Sequence, residues 1–478
     1  MQPSKIDNSQ DDLFLPRLSN MLNPKHEMMI LEKMVNWDEL AEEFTDCYSS
    51  DNFKGGCPPK PVRLMIGLLL LQHMHSLSDE LVVERWVENP YWQYFCGYDI
   101  LQWKMPINPS SLTRFRDRAG DKRMKKILSL TIDVALKSKF VEKKELKKVI
   151  VDTTVMPKNI EFPTDSKLYD KARIRLVKLC QKHNVPLRQN YNQVCKKINR
   201  RLGGYLHAKQ MKRAKKEIKS LKTILGRVIR DVSRKTQNNA YGKQNLKVSA
   251  IFKSELELAT RLLNQQVKDK NKIYALHEPD VVCISKGKSR QLYEFGSKVS
   301  FVMTHKKSLI TSAQSLDGNP YDGHTLKPAL ENAQNISKTK IKDAFVDKGY
   351  KGHGIDEEKD KIRIFISGQK TLGKKKITKT IKKHIKRRQA IEPIIGHMKN
   401  DGRLDLCRLK GIIGDKINAV LSAAGHNLRI ILKHIRKLLK NSYFCFNSLF
   451  LALLNAFLRE IIGFYQENRK FNVRFYNS

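Results

Sequence analysis

Three acids and two cations in this chain have the types and spacing for chemistry at phosphorus. Glu392 stands four residues after Arg388 and seven before Lys399 in the stretch RQAIEPIIGHMK. On a helix, steps of four and seven stay on one face, so a single carboxylate would lie between two cations. Taken as a surface pattern, this is an Arg–Glu pair on a solvated helix and worth little. It becomes purposeful if the carboxylate holds a metal ion and the cations hold phosphate oxygens. Two further acids favour that second reading. Asp152 lies inside the β-branched run KVIVDTTV, and Asp347 closes the short run DAFV and is followed by Lys-Gly-Tyr. An acid within a buried strand is costly unless something binds it. Clustered carboxylates repel one another unless cations sit between them. Oxygen-only ligation points to Mg²⁺ or Mn²⁺ rather than zinc. Two such ions, held by Asp152, Asp347 and Glu392, would stabilise the attacking and leaving oxygens of an in-line displacement.

The elements that must position these acids follow from periodicity. The run around Asp152 reads as a buried strand. Further strands are expected at 281–285, 298–304 and 308–313, the last two forming a hairpin about His305-Lys306-Lys307. Asp317-Gly318-Asn319-Pro320 is turn chemistry, followed by a helix at 325–332. A strand closed by Asp347 comes next, then a strand at 362–367, a helix at 381–400 and a long amphipathic helix at 412–439. The expected fold class is therefore α/β, a mixed sheet with flanking helices. Two helical units accompany it.

The first, at 28–140, contains an apolar helix at 63–75, a helix capped by Ser78 and a short helix at 112–118 carrying Arg114, Arg116 and Arg118. It reads either as a helix-turn-helix with those arginines against DNA, or as a plain bundle with a basic surface. The second, at 166–275, interrupts the catalytic segments 141–165 and 276–440. Between 171 and 240 it carries 21 Lys and Arg against two acids, with Lys212, Arg213, Lys215 and Lys216 in one cluster. So many like charges repel without a polyanion, which favours phosphate contacts over a solvated face. Residues 1–27 read as a leader and 441–478 as a tail without assignment.

The composition agrees. In 478 residues, 91 Lys and Arg face 48 Asp and Glu, a net charge of +43. Such a field draws polyanions, nucleic acid first and membrane lipid second. The first residues hold no apolar signal core. The one long apolar run, 444–458, is interrupted by Asn447 and Asn455, and falls short of the roughly 20 residues of a bilayer span. No membrane role is expected. The eight cysteines form no CxxC pair, so neither a zinc ribbon nor a disulfide framework is indicated, and a reducing cytosol fits.

The order Asp152, Asp347, Glu392, the VDKGY around Asp347 and the Arg388, Glu392, Lys399 spacing resemble bacterial insertion-sequence transposases of the DDE superfamily. The stretches DTTVMPKNIEFPTDSKLY (152–169) and PPKPVRLMIGLLLLQ are similar to the branch named after insertion sequence five. The resemblance spans most of 28–435. It implies a ribonuclease-H-like core, two Mg²⁺ (or Mn²⁺) ions, and the triad Asp152, Asp347 and Glu392. It also implies DNA contacts by Arg388 and Lys399. The expected activity is cleavage at transposon-end inverted repeats by activated water, then joining of the freed 3′-hydroxyl to target DNA. A homodimer in a synaptic complex, working on the nucleoid in a bacterial cytoplasm, goes with it. One position departs from the family's motif: Ile385 stands where a Tyr usually precedes the Arg by three. A metal-dependent nuclease, a non-catalytic DNA-binding protein and an inactive transposase remnant are the alternatives.

Overall fold

The computed structural model describes residues 16–45, 59–237, 246–285, 292–369 and 375–441, with positions 6, 8, 47, 371 and 372. The expected tail beyond 441, with its apolar run at 444–458, and most of the expected leader lie outside the described residues.

The N-terminal part is helical: α1 (Leu18–Met21), α2 (Glu27–Met34), α3 (Trp37–Thr45), α4 (Val62–His75), α5 (Asp79–Glu88), α6 (Pro90–Phe95) and α7 (Ser110–Lys137). Ser78 caps α5, its Oγ accepting the Leu81 N–H at 3.1 Å. Asn89 caps α6 by accepting the Trp92 N–H, and Pro90 fills the first position, where an N–H would have no partner within the helix. Gly120, at φ 65°, kinks α7 into two arms, the first of which is the short helix expected at 112–118.

β1 (Lys148–Pro157) then enters the sheet. The insertion follows as α8 (Asp165–Lys182), α9 (Asn192–His207), α10 (Met211–Gln237) and α11 (Leu246–Asn264). The chain returns through β2 (Val282–Ser285), β3 (Tyr293–Thr304) and β4 (Ile310–Leu316), crosses over in α12 (Asp322–Ser337), and adds β5 (Asp343–Val346). α13 (Glu357–Asp360) leads to β6 (Arg363–Ile366). A small ribbon of β7 (Thr371–Leu372) and β8 (Lys375–Lys376) precedes α14 (Lys379–Arg387), α15 (Ile391–Asp401) and a last helix, α16, over 411–441.

The main sheet runs β4-β3-β1-β5-β6, with β2 also pairing the start of β3. Pairs among β1, β2, β3 and β4 are antiparallel, whereas β1 with β5 and β5 with β6 are parallel. Alternation along β1 decides what covers each face. Val149 and Val151, with Val302 and Ala344, pack against Leu326, Ala329 and Leu330 of α12. Ile150, Phe301 and Phe345 point the other way, into a core shared with Leu68 of α4, Ile127 of α7, Met398 of α15 and Leu428 of α16. The N-terminal helices thus share one core with the sheet. The insertion has its own core, built on Leu176, Ile198, Leu202, Leu225, Val228 and Leu262.

Where the insertion leaves and rejoins the sheet, a buried ionic knot holds both roots. Lys158 Nζ lies 2.6 Å from Asp415 and 3.3 Å from Glu278, and all three side chains are largely buried. Among the described residues, no helix is long and apolar enough to cross a membrane.

Candidate active site

Asp152 and Asp347 come from neighbouring parallel strands at the same level. β1 and β5 pair through Ile150 and Phe345, and each acid follows its partner by two residues. β5 ends at Val346, and the chain turns into a 3₁₀ helix over Lys348–Tyr350, which leaves Asp347 at the carboxyl edge of the sheet. Glu392 reaches that edge from the first turn of α15.

One side chain touches all three acids. The Arg388 guanidinium lies 3.5 Å from Asp152 Oδ2, 3.7 Å from Asp347 Oδ1 and 3.4 Å from Glu392 Oε1. Its side chain is 9% exposed, against 21% for Asp152, 49% for Asp347 and 62% for Glu392. The arginine is therefore the floor of the site, and the acids open progressively toward solvent.

One expectation is corrected: the helix expected over 381–400 is interrupted by a 3₁₀ turn at Arg388–Ala390, between α14 and α15. Arg388, expected to contact DNA, is turned inward among the acids in the free chain. Lys399 sits partly exposed two turns further along α15.

Burial raises the Asp152 carboxyl to about 6. The Thr153 N–H, donating to Oδ1 at 2.8 Å, and the Arg388 charge oppose that rise, while Asp347 and Asp322 add to it. Tyr350 is buried nearby, and burial pushes its phenol well above the usual range, with the Asp152 and Asp322 charges adding to that.

Asp322 is the residue that sequence reasoning missed. It opens α12, accepts the Thr153 hydroxyl at 2.9 Å and pairs with Lys298 Nζ at 2.7 Å. A fourth carboxylate thus stands beside Asp152. Its only sequence signal was an acid in the first turn of a helix, which is ordinary, and the helix begins three residues earlier than expected.

The donor set of the three acids is oxygen only, which suits Mg²⁺ or Mn²⁺. Among the described residues, no three His, Cys, Asp or Glu side chains stand close enough to hold an ion as they are. The guanidinium lies between the acids that would do so.

The remaining cations divide. Arg114 and Arg118 are exposed on the first arm of α7, Arg114 donating to Ser110 Oγ at 2.8 Å. Arg116 is not available to DNA. It is 4% exposed and ion-pairs with Asp79, with Nη1 3.2 Å from Oδ1 and 3.4 Å from Gln72 Oε1. Leu112, Phe115 and Ala119 define the buried face of that arm, and position 116, four beyond Leu112, falls on it. Lys212, Arg213, Lys215 and Lys216 are all exposed on α10, where Arg213 also reaches Gln210 and lies over the Tyr205 ring. Other cations of the insertion serve its own fold: Arg173 is buried against Asp170, and Arg175 pairs with Glu255.

Comparison with known proteins gives the family of two parts of the chain. Residues 16–118 match a family model described as a transposase domain (DUF772), and residues 266–428 match a transposase DDE domain. Asp347, Arg388 and Glu392 fall inside the second match, while β1 with Asp152 and most of the insertion lie between the two. Over 210 residues the chain is 41% identical to an uncharacterized protein, ORF8 in the nfe locus of Rhizobium meliloti, covering 44% of this chain and 100% of that protein. No solved structure matches. These domains define a DNA-binding enzyme of the nuclease and transferase kind. Together the two transposase domains indicate an insertion-sequence transposase.

Proposed function

We propose that this transposase binds the inverted repeats at transposon ends, cleaves the phosphodiester there and joins the freed 3′-hydroxyl to target DNA. Asp152, Asp347 and Glu392 would hold the metal ions. The observation that carries the reading is the convergence of these acids, from β1, the end of β5 and α15, on one point already occupied by positive charge. The order β4-β3-β1-β5-β6, antiparallel strands followed by parallel ones, supports a ribonuclease-H-like core with two of the acids on its central parallel pair. Two bound Mg²⁺ or Mn²⁺ ions would supply charge stabilisation at the attacking and leaving oxygens of an in-line displacement.

The chain's own residues do the rest. Thr153 fixes the Asp152 carboxylate through its N–H and ties it to Asp322 through its hydroxyl. Lys298 balances the Asp322 charge. The exposure of Asp347 and Glu392 leaves room for a DNA strand. Exposed cations on α7 and α10, and Lys399, would hold phosphates away from the reacting bond. Placement in the insertion-sequence-five branch, a homodimeric synaptic complex and work on the bacterial nucleoid belong to the same proposal, and rest on the motifs around Asp152 and Asp347.

The test is strand transfer of a labelled duplex bearing the repeat found in the DNA that flanks the reading frame. The native chain with Mg²⁺ should yield joined products. Asp152→Asn should reduce cleavage to background while duplex affinity holds or rises, because a charge repelling phosphate has gone. Cleavage without joining would reduce the activity to that of a nuclease, and nicking by the mutant at the native rate would remove Asp152 from the site.

A further inference from the structure

The site assembles its acids around a cation that belongs to the protein. Arg388 bridges Asp152, Asp347 and Glu392 at 3.4–3.7 Å, and its side chain is 9% exposed. The 3₁₀ turn at Arg388–Ala390 directs it there, and both flanking helices are anchored. Arg387, one residue earlier, donates to the His305 and Lys306 carbonyls at 2.8 and 2.7 Å. Ile391, just after the turn, is fully buried in the main core. The guanidinium is thus held among the acids from both sides, and among the described residues no three acids close on an ion around it.

We propose that Arg388 is a built-in counter-ion that competes with divalent metal for the three acids, and that a DNA phosphate frees the site by drawing the guanidinium to itself. This rests on the metal-holding role given above to Asp152, Asp347 and Glu392. The physics is an exchange of partners. Three carboxylates of like charge in one cleft need a cation, and a buried guanidinium supplies one without any ion. A metal entering beside it meets a like charge. A phosphate is the other oxyanion that a guanidinium grips in two places, and the acids on the open side of the cleft are where DNA would approach. Once Arg388 pairs with phosphate, the acids lose their counter-ion and their affinity for metal rises. Binding of metal and DNA would then be coupled, and the coupling must be equal in both directions. Loading of the metals would wait for the substrate, and the free protein would hold a disarmed site.

The experiment measures Mn²⁺ binding by the loss of its free electron-spin-resonance signal, on the full chain with and without a duplex of arbitrary sequence. The native chain should bind Mn²⁺ about tenfold more tightly when the duplex is present, within the usual span of coupling between sites. Mn²⁺ should tighten duplex binding by the same factor. Arg388→Ala should bind Mn²⁺ without DNA as tightly as the native complex does, and DNA should add little further. Arg388→Gln, close in length and neutral, should behave alike and serves if the alanine variant does not fold. Arg388→Lys, which keeps the charge, should stay nearer the native chain.

If neither neutral variant binds Mn²⁺ more tightly than the native chain, the proposal is overturned. The underlying assignment is tested separately by adding Asp152→Asn and Asp347→Asn to Arg388→Gln. If Mn²⁺ binding persists undiminished in that background, the metal lies elsewhere and the assignment of the acids fails.

Discussion

Asp152 shows what one residue of the site does to the fold. Its carboxyl is raised to about 6 from an ordinary value near 3.8, first by burial. A carboxyl whose folded value lies above its unfolded value penalises the folded state once pH exceeds both, and not at all below both. In the native chain the penalty at pH 8 is at most about 3 kcal/mol. Asp152→Asn should therefore melt at a higher temperature than the native chain at pH 8 without metal. That gain should shrink as pH falls from 6 toward 4. A mutant less stable than the native chain at pH 8 would show that Asp152 is held more by Arg388 than it is penalised by burial. Arg116 and Arg114 make a second comparison. Arg116→Ala leaves Asp79 partly buried without its partner, a loss of about 3 kcal/mol, visible in denaturant unfolding with no change in the salt dependence of DNA binding. Arg114→Ala, on an exposed face, should leave stability within about 0.5 kcal/mol. If Arg114 contacts phosphate, the slope of log K against log salt should fall by about 0.9.

The joint between insertion and sheet decides how the elements stay in register. Lys158→Ala would leave Asp415 and Glu278 facing each other in a buried place, and should cost about 3–5 kcal/mol. The loss should appear as a lowered melting temperature of the whole chain, with the helical signal of the insertion persisting because its core is separate. Simultaneous melting of both would show that the insertion has no stability of its own. How far such elements can be read from sequence depends on what dictates them. β1 was legible because a run of Val, Ile and Thr has few other uses, and its acid stood out against that run. The parallel pairing of β1 with β5 was not read from the sequence, because which strands become neighbours is set by tertiary packing rather than by either run. The break at Arg388–Ala390 contains neither Gly nor Pro and comes from tertiary anchoring. Yet Pro393 was a usable signal, since its ring would clash with the carbonyl four residues back in a continuous helix and is comfortable only in a first turn. Arg116 was misread as a DNA contact, although the apolar positions Leu112, Phe115 and Ala119 place it on their own face. Asp322 was not legible, since nothing local separates an acid that ends up beside Asp152 from one that merely opens a helix.

At the scale of the whole molecule, the net charge of +43 sets how tightly any duplex is held, and the insertion carries much of it on α10. Replacing Lys212, Arg213, Lys215 and Lys216 by Gln should flatten the salt slope by up to about 0.9 for each phosphate no longer neutralised, with melting temperature unchanged because all four are exposed. An unchanged slope would return α10 to a merely solvated face. The placement of the insertion has a further consequence, in time. Asp152 emerges from the ribosome 240 residues before Glu392, which at roughly 5–20 residues per second is a delay of roughly 12–48 s. For the first part of that interval, until β3 (Tyr293–Thr304) emerges, β1 lacks both β3 and β5, while the insertion can close its own core. A nascent chain can therefore display its basic helices long before it possesses a complete set of acids. On the proposed roles, a chain halted between the insertion and residue 392 should grip DNA and cut nothing, which a gel-shift and a nicking assay on a chain ended at residue 390 would check.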